Sequence, residues 1–187
     1  MRVIAGQYRS RPLTAPKGMD TRPTSDRLRE TLFNVLAPRI EGSVFLDLYA
    51  GSGAVGIEAL SRGAKEAIFV ESAETALRAI RTNLTALNIQ GGYALEARTA
   101  VAAMKRLAFS GRTVDIAFLD PPYADTAEYE LALGQFGGES RELLAEGAIV
   151  VAEHLKKLTL NDSYSELRRY RTLKQGDSIL SFYSISS

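Results

Sequence analysis

Asp120-Pro121-Pro122-Tyr123 places a carboxylate, two prolines and an aromatic ring in consecutive positions, directly after the apolar run Val114-Asp115-Ile116-Ala117-Phe118-Leu119. Two prolines in a row fix φ and remove two backbone donors, leaving a rigid edge rich in acceptors. Such an edge suits an exocyclic amine on an aromatic base. The nitrogen of that amine is a poor nucleophile, because its lone pair is delocalised into the ring. If the Asp120 carboxylate accepts one N–H hydrogen and the Pro121 carbonyl the other, a more pyramidal nitrogen is stabilised with its lone pair facing an electrophile. Tyr123 adds a face for stacking, worth about 1–3 kcal/mol per base, against the few kcal/mol needed to unstack the base from its neighbours. An isolated Asp-Pro-Pro is also an ordinary turn. What separates the two readings is the order of the other motifs.

Sixty-nine residues before Asp120, Gly51-Ser52-Gly53-Ala54-Val55-Gly56 begins and fits G-x-G-x-x-G after a short apolar run, and Glu71 lies twenty residues beyond the first glycine. Small residues allow a sharp turn and close approach of a ligand to the backbone, and an acid ending the second strand accepts ribose hydroxyls. A dinucleotide and S-adenosylmethionine use these features equally, and a tight strand-to-helix turn needs glycine in any case. Asp47 helps to separate the ligands, because it puts a carboxylate in an otherwise apolar run just before the turn. A buried carboxylate needs donors or a cation. S-adenosylmethionine brings a cationic amino-acid end, whereas the pyrophosphate of a dinucleotide is repelled; satisfaction of Asp47 by loop amides is compatible with the former.

The elements that must position these groups alternate. A β-prone stretch broken at Ser10-Arg11-Pro12 predicts a small N-terminal hairpin. Thr24 or Ser25 then caps a helix whose apolar residues are Leu28, Leu32, Phe33 and Leu36, with Pro38 ending it. Strands are expected at 44–49, 67–71, 93–96, 114–119 and 148–152. Helices are expected to about residue 62 with Gly63 at the C-terminus, then near 73–88, 101–108, 126–133 and 140–144. This rhythm predicts an α/β protein with a mostly parallel sheet covered on both faces. The tail differs, with strands over 165–173 and 178–185 flanking the turn Gln175-Gly176-Asp177.

The length of 187 residues predicts a single domain over 1–187. There is no cysteine, so disulfides, thiolate metal sites and thiol nucleophiles are excluded. With no apolar run of transmembrane length and no signal-like N-terminus, a cytoplasmic protein is expected. The net charge of +1 hides an asymmetry: residues 1–30 hold seven basic and three acidic side chains, and residues 154–174 six and two. Two basic segments in a near-neutral chain fit a polyanionic partner, although ordinary solvated charge gives the same composition. His154, the single histidine, is the obvious proton relay for an oxidoreductase, and a lone histidine after a strand is more often structural.

Leu46-Asp47-Leu48-Tyr49-Ala50-Gly51-Ser52-Gly53 together with Asp120-Pro121-Pro122-Tyr123 resembles the amino-methylating class I methyltransferases. More narrowly, Arg2-Val3-Ile4-Ala5-Gly6, Arg9-Ser10-Arg11-Pro12-Leu13, Thr21-Arg22-Pro23-Thr24 and Arg29-Glu30-Thr31-Leu32-Phe33-Asn34 resemble the RsmD family of 16S ribosomal RNA guanine-N2 methyltransferases, and the likeness extends to Gln175-Gly176-Asp177. The resemblance implies a Rossmann-like seven-stranded sheet with an antiparallel last strand, S-adenosylmethionine as donor, and residues 1–20 as a basic extension for RNA. It implies Asp47, Tyr49, Ala50, Gly51, Gly53, Glu71 and Ser72 as cofactor residues and Asp120, Pro121, Pro122 and Tyr123 as the amine site. Arg9, Arg11, Lys17 and Arg22 become the RNA contacts, with no metal and no membrane. The implied partner is 16S ribosomal RNA within a small subunit or an assembly intermediate. Where many class I enzymes hold the adenine amine with an acid after strand three, this chain reads Ala97-Arg98-Thr99-Ala100, so backbone groups or Glu96 must serve. Adenine-N6 methylation of DNA or RNA and a noncatalytic RNA-binding protein are the alternatives.

Overall fold

Leu28, Leu32, Phe33, Leu36 and Ile40 recur at helical spacing, and they are the apolar residues that α1 (Asp26–Ile40) buries. The computed structural model describes residues 1–16, 25–122 and 126–185. Ser25 caps α1, its hydroxyl accepting from the Leu28 amide at 3.2 Å. The helix does not stop at Pro38 but runs through it to Ile40. Proline there costs a backbone hydrogen bond, and burial of Leu36 and Ile40 on either side holds the last turn in place.

The described chain forms two compact units, Met1–Arg98 and Thr99–Ser187. The first continues with β1 (Val44–Leu48), α2 (Ala54–Ser61), β2 (Glu66–Glu71), α3 (Glu74–Ala86) and β3 (Tyr93–Ala97). β1 and β3 flank β2, both parallel to it, with Asp47 opposite Phe69 and Glu71 opposite Ala97. The hydrophobic runs of β1 and β2 are buried almost throughout, as expected for parallel strands. Gly56 lets α2 pack closely, since a Cβ there would lie 2.4 Å from the Phe69 ring. The N-terminal hairpin is a loop closed by one antiparallel bridge, Arg2 to Pro12, with Val3 and Leu13 buried in the core.

The second unit comprises α4 (Ala100–Phe109), β4 (Val114–Leu119), α5 (Thr126–Gly137), β5 (Leu144–Leu155), β6 (Ser163–Tyr164), β7 (Leu167–Gln175) and β8 (Ser178–Ile185). β4 and β5 are parallel; β8 then pairs antiparallel to β5, β7 to β8 and β6 to β7. The expected α/β fold with parallel strands and an antiparallel C-terminal end is present. It contains eight strands among the described residues instead of seven, because the two-residue β6 adds an edge. The helix expected at 140–144 is a single 3-10 turn, Arg141–Leu143, after which β5 starts four residues early. Gly176 takes φ +61 in the β7–β8 turn.

Candidate functional site

β1 ends at Leu48 because Tyr49 adopts φ +62, and a tight turn then leads into α2. Within it the Ala50 amide donates to the Val70 carbonyl at 3.0 Å, and the Ala50 carbonyl accepts from the Gly53 amide at 2.7 Å. Gly53, at φ +78, is the N-cap of α2 and has no side chain to cap it. Asp47 supplies the missing acceptor from the neighbouring strand, taking the Gly56 amide at 2.9 Å. Asp47 is 1% exposed. Burial pushes its carboxyl up to about 7, the Gly56 amide opposes the rise and the charge of Glu71 adds to it.

Glu71 ties the same turn to the start of α3. One carboxylate oxygen accepts from the Gly51 amide at 2.9 Å, and the other from the Ser72 and Ala73 amides, both at 2.8 Å. Three of roughly four acceptor positions are thereby used, leaving room for a further donor. The structure thus brings Asp47, Tyr49, Ala50, Gly51, Gly53, Glu71 and Ser72 into one turn region of the first unit. Glu96, at the end of β3, pairs with Arg98 at 3.0 Å.

Two buried polar residues that sequence reasoning missed hold the N-terminal loop on this frame. Glu58, fully buried in α2, accepts from the Ile4 amide at 2.8 Å, the Ala5 amide at 3.0 Å and Arg62 Nε at 2.7 Å. Asn83 in α3 accepts from the Thr14 amide at 2.7 Å and donates to the carbonyls of Thr14 at 3.0 Å and Ser52 at 2.9 Å. The available signal was a lone polar residue on an apolar stripe: Asn83 lies three residues after Ile80 and beside Leu84.

In the second unit, Asp120 follows β4 half-buried, with Pro121 buried and Pro122 exposed. Tyr123 lies outside the described residues, as do Lys17, Arg22 and the Thr21-Arg22-Pro23-Thr24 segment. Arg9 is exposed on the N-terminal loop, and Arg11 donates to the Ala86 carbonyl at 2.9 Å. His154 is buried, its ring nitrogens 2.9 Å from Ser181 Oγ and 3.1 Å from the Leu155 carbonyl, and burial holds its pKa down. That is a structural role for the lone histidine. Among the described residues there is no cluster of metal-ligating side chains, and no helix is long and apolar enough to cross a membrane.

An alternating α/β architecture with antiparallel C-terminal strands, a glycine turn between β1 and α2 and an acid ending β2 defines a class I methyltransferase fold. The chain belongs to the family described as conserved hypothetical protein 95, whose model matches residues 1–184, the RsmD family that the motifs resemble. Among relatives, it is 37% identical to YlbH of Bacillus subtilis (strain 168) over 172 residues, 89% of each chain. It is 42% identical to Ribosomal RNA small subunit methyltransferase D of Escherichia coli (strain K12) over 123 residues, 66% of this chain and 60% of that protein. The solved structure of yhhF from Escherichia coli superposes with a TM-score of 0.81 at 33% identity, covering 100% of this chain and 98% of that one.

Proposed function

We propose that this chain transfers a methyl group from S-adenosylmethionine to the exocyclic N2 amine of a guanine in 16S ribosomal RNA. We further propose that it acts in the cytoplasm on a small ribosomal subunit or an assembly intermediate, with 1–187 working as one methyltransferase domain and 1–20 as its basic extension. The observation that carries the reading is the buried Asp47 beside the glycine turn. A carboxylate pushed up to about 7 by burial, with the Gly56 amide as its hydrogen-bond donor among the described residues, is matched by a cationic group and mismatched by a pyrophosphate. This fits the donor and disfavours a dinucleotide. The likeness to Ribosomal RNA small subunit methyltransferase D supports the choice of substrate.

When bound, S-adenosylmethionine supplies an electrophilic methyl group. In this reading Asp47 offsets its cationic end, Glu71 accepts from the ribose hydroxyls, and the backbone of Tyr49, Ala50, Gly51, Gly53 and Ser72 lines the approach. Asp120 and the Pro121 carbonyl accept the two N–H hydrogens of the guanine amine, Pro122 stiffens that edge, and Tyr123 stacks on the base. The nitrogen lone pair forms the new N–C bond, the electrons of the S–C bond pass to sulfur, and the acidic methylated amine loses its proton to water. Arg9, Arg11, Lys17 and Arg22 meet RNA phosphates.

The test is to incubate the protein with labelled S-adenosylmethionine and with 16S ribosomal RNA or small subunits from cells lacking it, then to map the label. A single guanine N2 is expected. Label on adenine N6, or binding of RNA without any label, would replace this reading with one of the two alternatives.

A further inference from the structure

β7 carries Arg168, Arg169, Tyr170, Arg171 and Lys174 within seven residues, and the structure divides them by what they hold. Arg169 pairs with Asp162 and donates to the Leu160 carbonyl at 3.2 Å, so it fastens the segment before β6. Against β8, Arg169 lies opposite Tyr183 and Arg171 opposite Phe182, so one extra residue is inserted at Tyr170. Strict alternation would send Tyr170 and Arg171 to opposite faces, and the bulge removes that constraint. Both gather at Phe182: the Arg171 guanidinium lies 5.8 Å over its ring, and the Tyr170 ring centroid is 6.3 Å away.

This edge is basic and its acids are committed elsewhere. Arg168, Arg171 and Lys174 are exposed and form no ion pair among the described residues, although one Arg168 nitrogen donates to the Ser165 carbonyl; Asp162 and Glu166 pair with Arg169 and Arg141. β6 pairs with Leu167 and Arg168, and the Arg169 amide donates to the Asp162 carbonyl at 2.8 Å, so 170–175 is a sheet edge among the described residues. Lysine and arginine on such an edge also serve to prevent strand pairing. That role has no use for Tyr170, which remains 53% exposed between two arginines. Cations flanking an exposed aromatic ring match the alternation of phosphate and base in a single strand.

We propose that the 168–174 stretch of β7, at and beside this edge, is a second RNA contact, with Tyr170 stacking on an unpaired base and Arg168, Arg171 and Lys174 meeting the flanking phosphates. It rests on the reading above that the substrate is ribosomal RNA. The test follows binding of the full chain to protein-free 16S ribosomal RNA and to small subunits across a range of salt concentrations, with methyl transfer measured in parallel. Each lost phosphate contact lowers the salt slope by about 0.7–0.9, so the triple variant Arg168→Gln, Arg171→Gln, Lys174→Gln is expected to lower it by about two. Tyr170→Ala is expected to weaken binding about tenfold with the slope unchanged, and Tyr170→Phe to restore it. Melting temperature and S-adenosylmethionine affinity stay at parental values in all three. If the parent methylates RNA and the triple variant and Tyr170→Ala bind it like the parent, the edge is only a guard against strand pairing. Loss confined to assembled subunits, with protein-free RNA bound normally, would assign the edge to a ribosomal protein and overturn the RNA contact. A parent that neither binds nor methylates RNA would instead sink the substrate reading itself.

Discussion

The Asn83 side-chain amide donates to the Ser52 carbonyl at 2.9 Å from a position only 1% exposed, joining the glycine turn to α3. The same side chain holds both backbone groups of Thr14, so the N-terminal loop and the turn share one anchor. Asn83→Ala leaves three backbone groups without their partner. It is expected to cost about 2–3 kcal/mol, lowering the melting temperature by roughly 4–10 °C in a domain of this size. S-adenosylmethionine affinity is expected to fall with it. Thermal melts and calorimetric titration check both; a variant with parental melting and affinity would remove Asn83 from the anchor.

The raised Asp47 pKa gives two pH dependences. Its folded value lies above its unfolded value, so its contribution to stability is full below pH 3.8 and is lost as pH rises through about 7. Asp47→Asn removes that slope, measurable as denaturation midpoints across the window. Binding a cationic group favours the charged carboxylate, so S-adenosylmethionine affinity is expected to rise by up to about tenfold per pH unit below 7 and then level off. Calorimetry that finds the same rise in Asp47→Asn would place its origin elsewhere.

Glu71→Gln keeps the shape of the side chain but replaces a charged acceptor that takes three amides. Hydrogen bonds to charged groups contribute about 1.5–3 kcal/mol, so a loss of about tenfold to a hundredfold in S-adenosylmethionine affinity is expected. Equilibrium titration checks this, with NADH as a control that neither protein binds. NADH heat in place of S-adenosylmethionine heat would return the glycine turn to a dinucleotide.

Asp120→Ala is expected to keep the fold and S-adenosylmethionine affinity while reducing turnover by about a hundredfold or more, as when a group that stabilises developing charge is removed. Its acceptor acts mainly as the amine becomes pyramidal, so it lowers the barrier more than it tightens the Michaelis complex. Single-turnover methyl transfer measures this directly. Parental turnover in Asp120→Ala would exclude the residue from the chemistry.

Much of the frame was legible because its signals are local. The apolar run 114–119 is β4 to the residue, and Gln175-Gly176-Asp177 marks the β7–β8 reversal. Boundaries failed where burial or strand pairing between distant segments overrode a local rule. α1 passes through Pro38 because Leu36 and Ile40 are buried on either side, and β5 begins at Leu144, well before the compact apolar run that announces it. Glycine spacing likewise located the turn, while the reason for Gly56 is the Phe69 ring of the next strand.

By itself the sequence determined the alternation of elements, the Asp47, glycine-turn and Glu71 series, and the position of Asp120 directly after β4. Periodicity and turn chemistry act within about ten residues, so they can be read along the chain. Only the tertiary structure decided what the buried polar groups hold. Glu58 reaches back to Ile4 and Ala5, and Asn83 to Thr14 and Ser52. On β7 it separated Arg169, committed to Asp162, from Arg171, left on an exposed edge. These assignments depend on which backbone donors and acceptors burial leaves without water, and that is settled by packing between segments far apart in sequence.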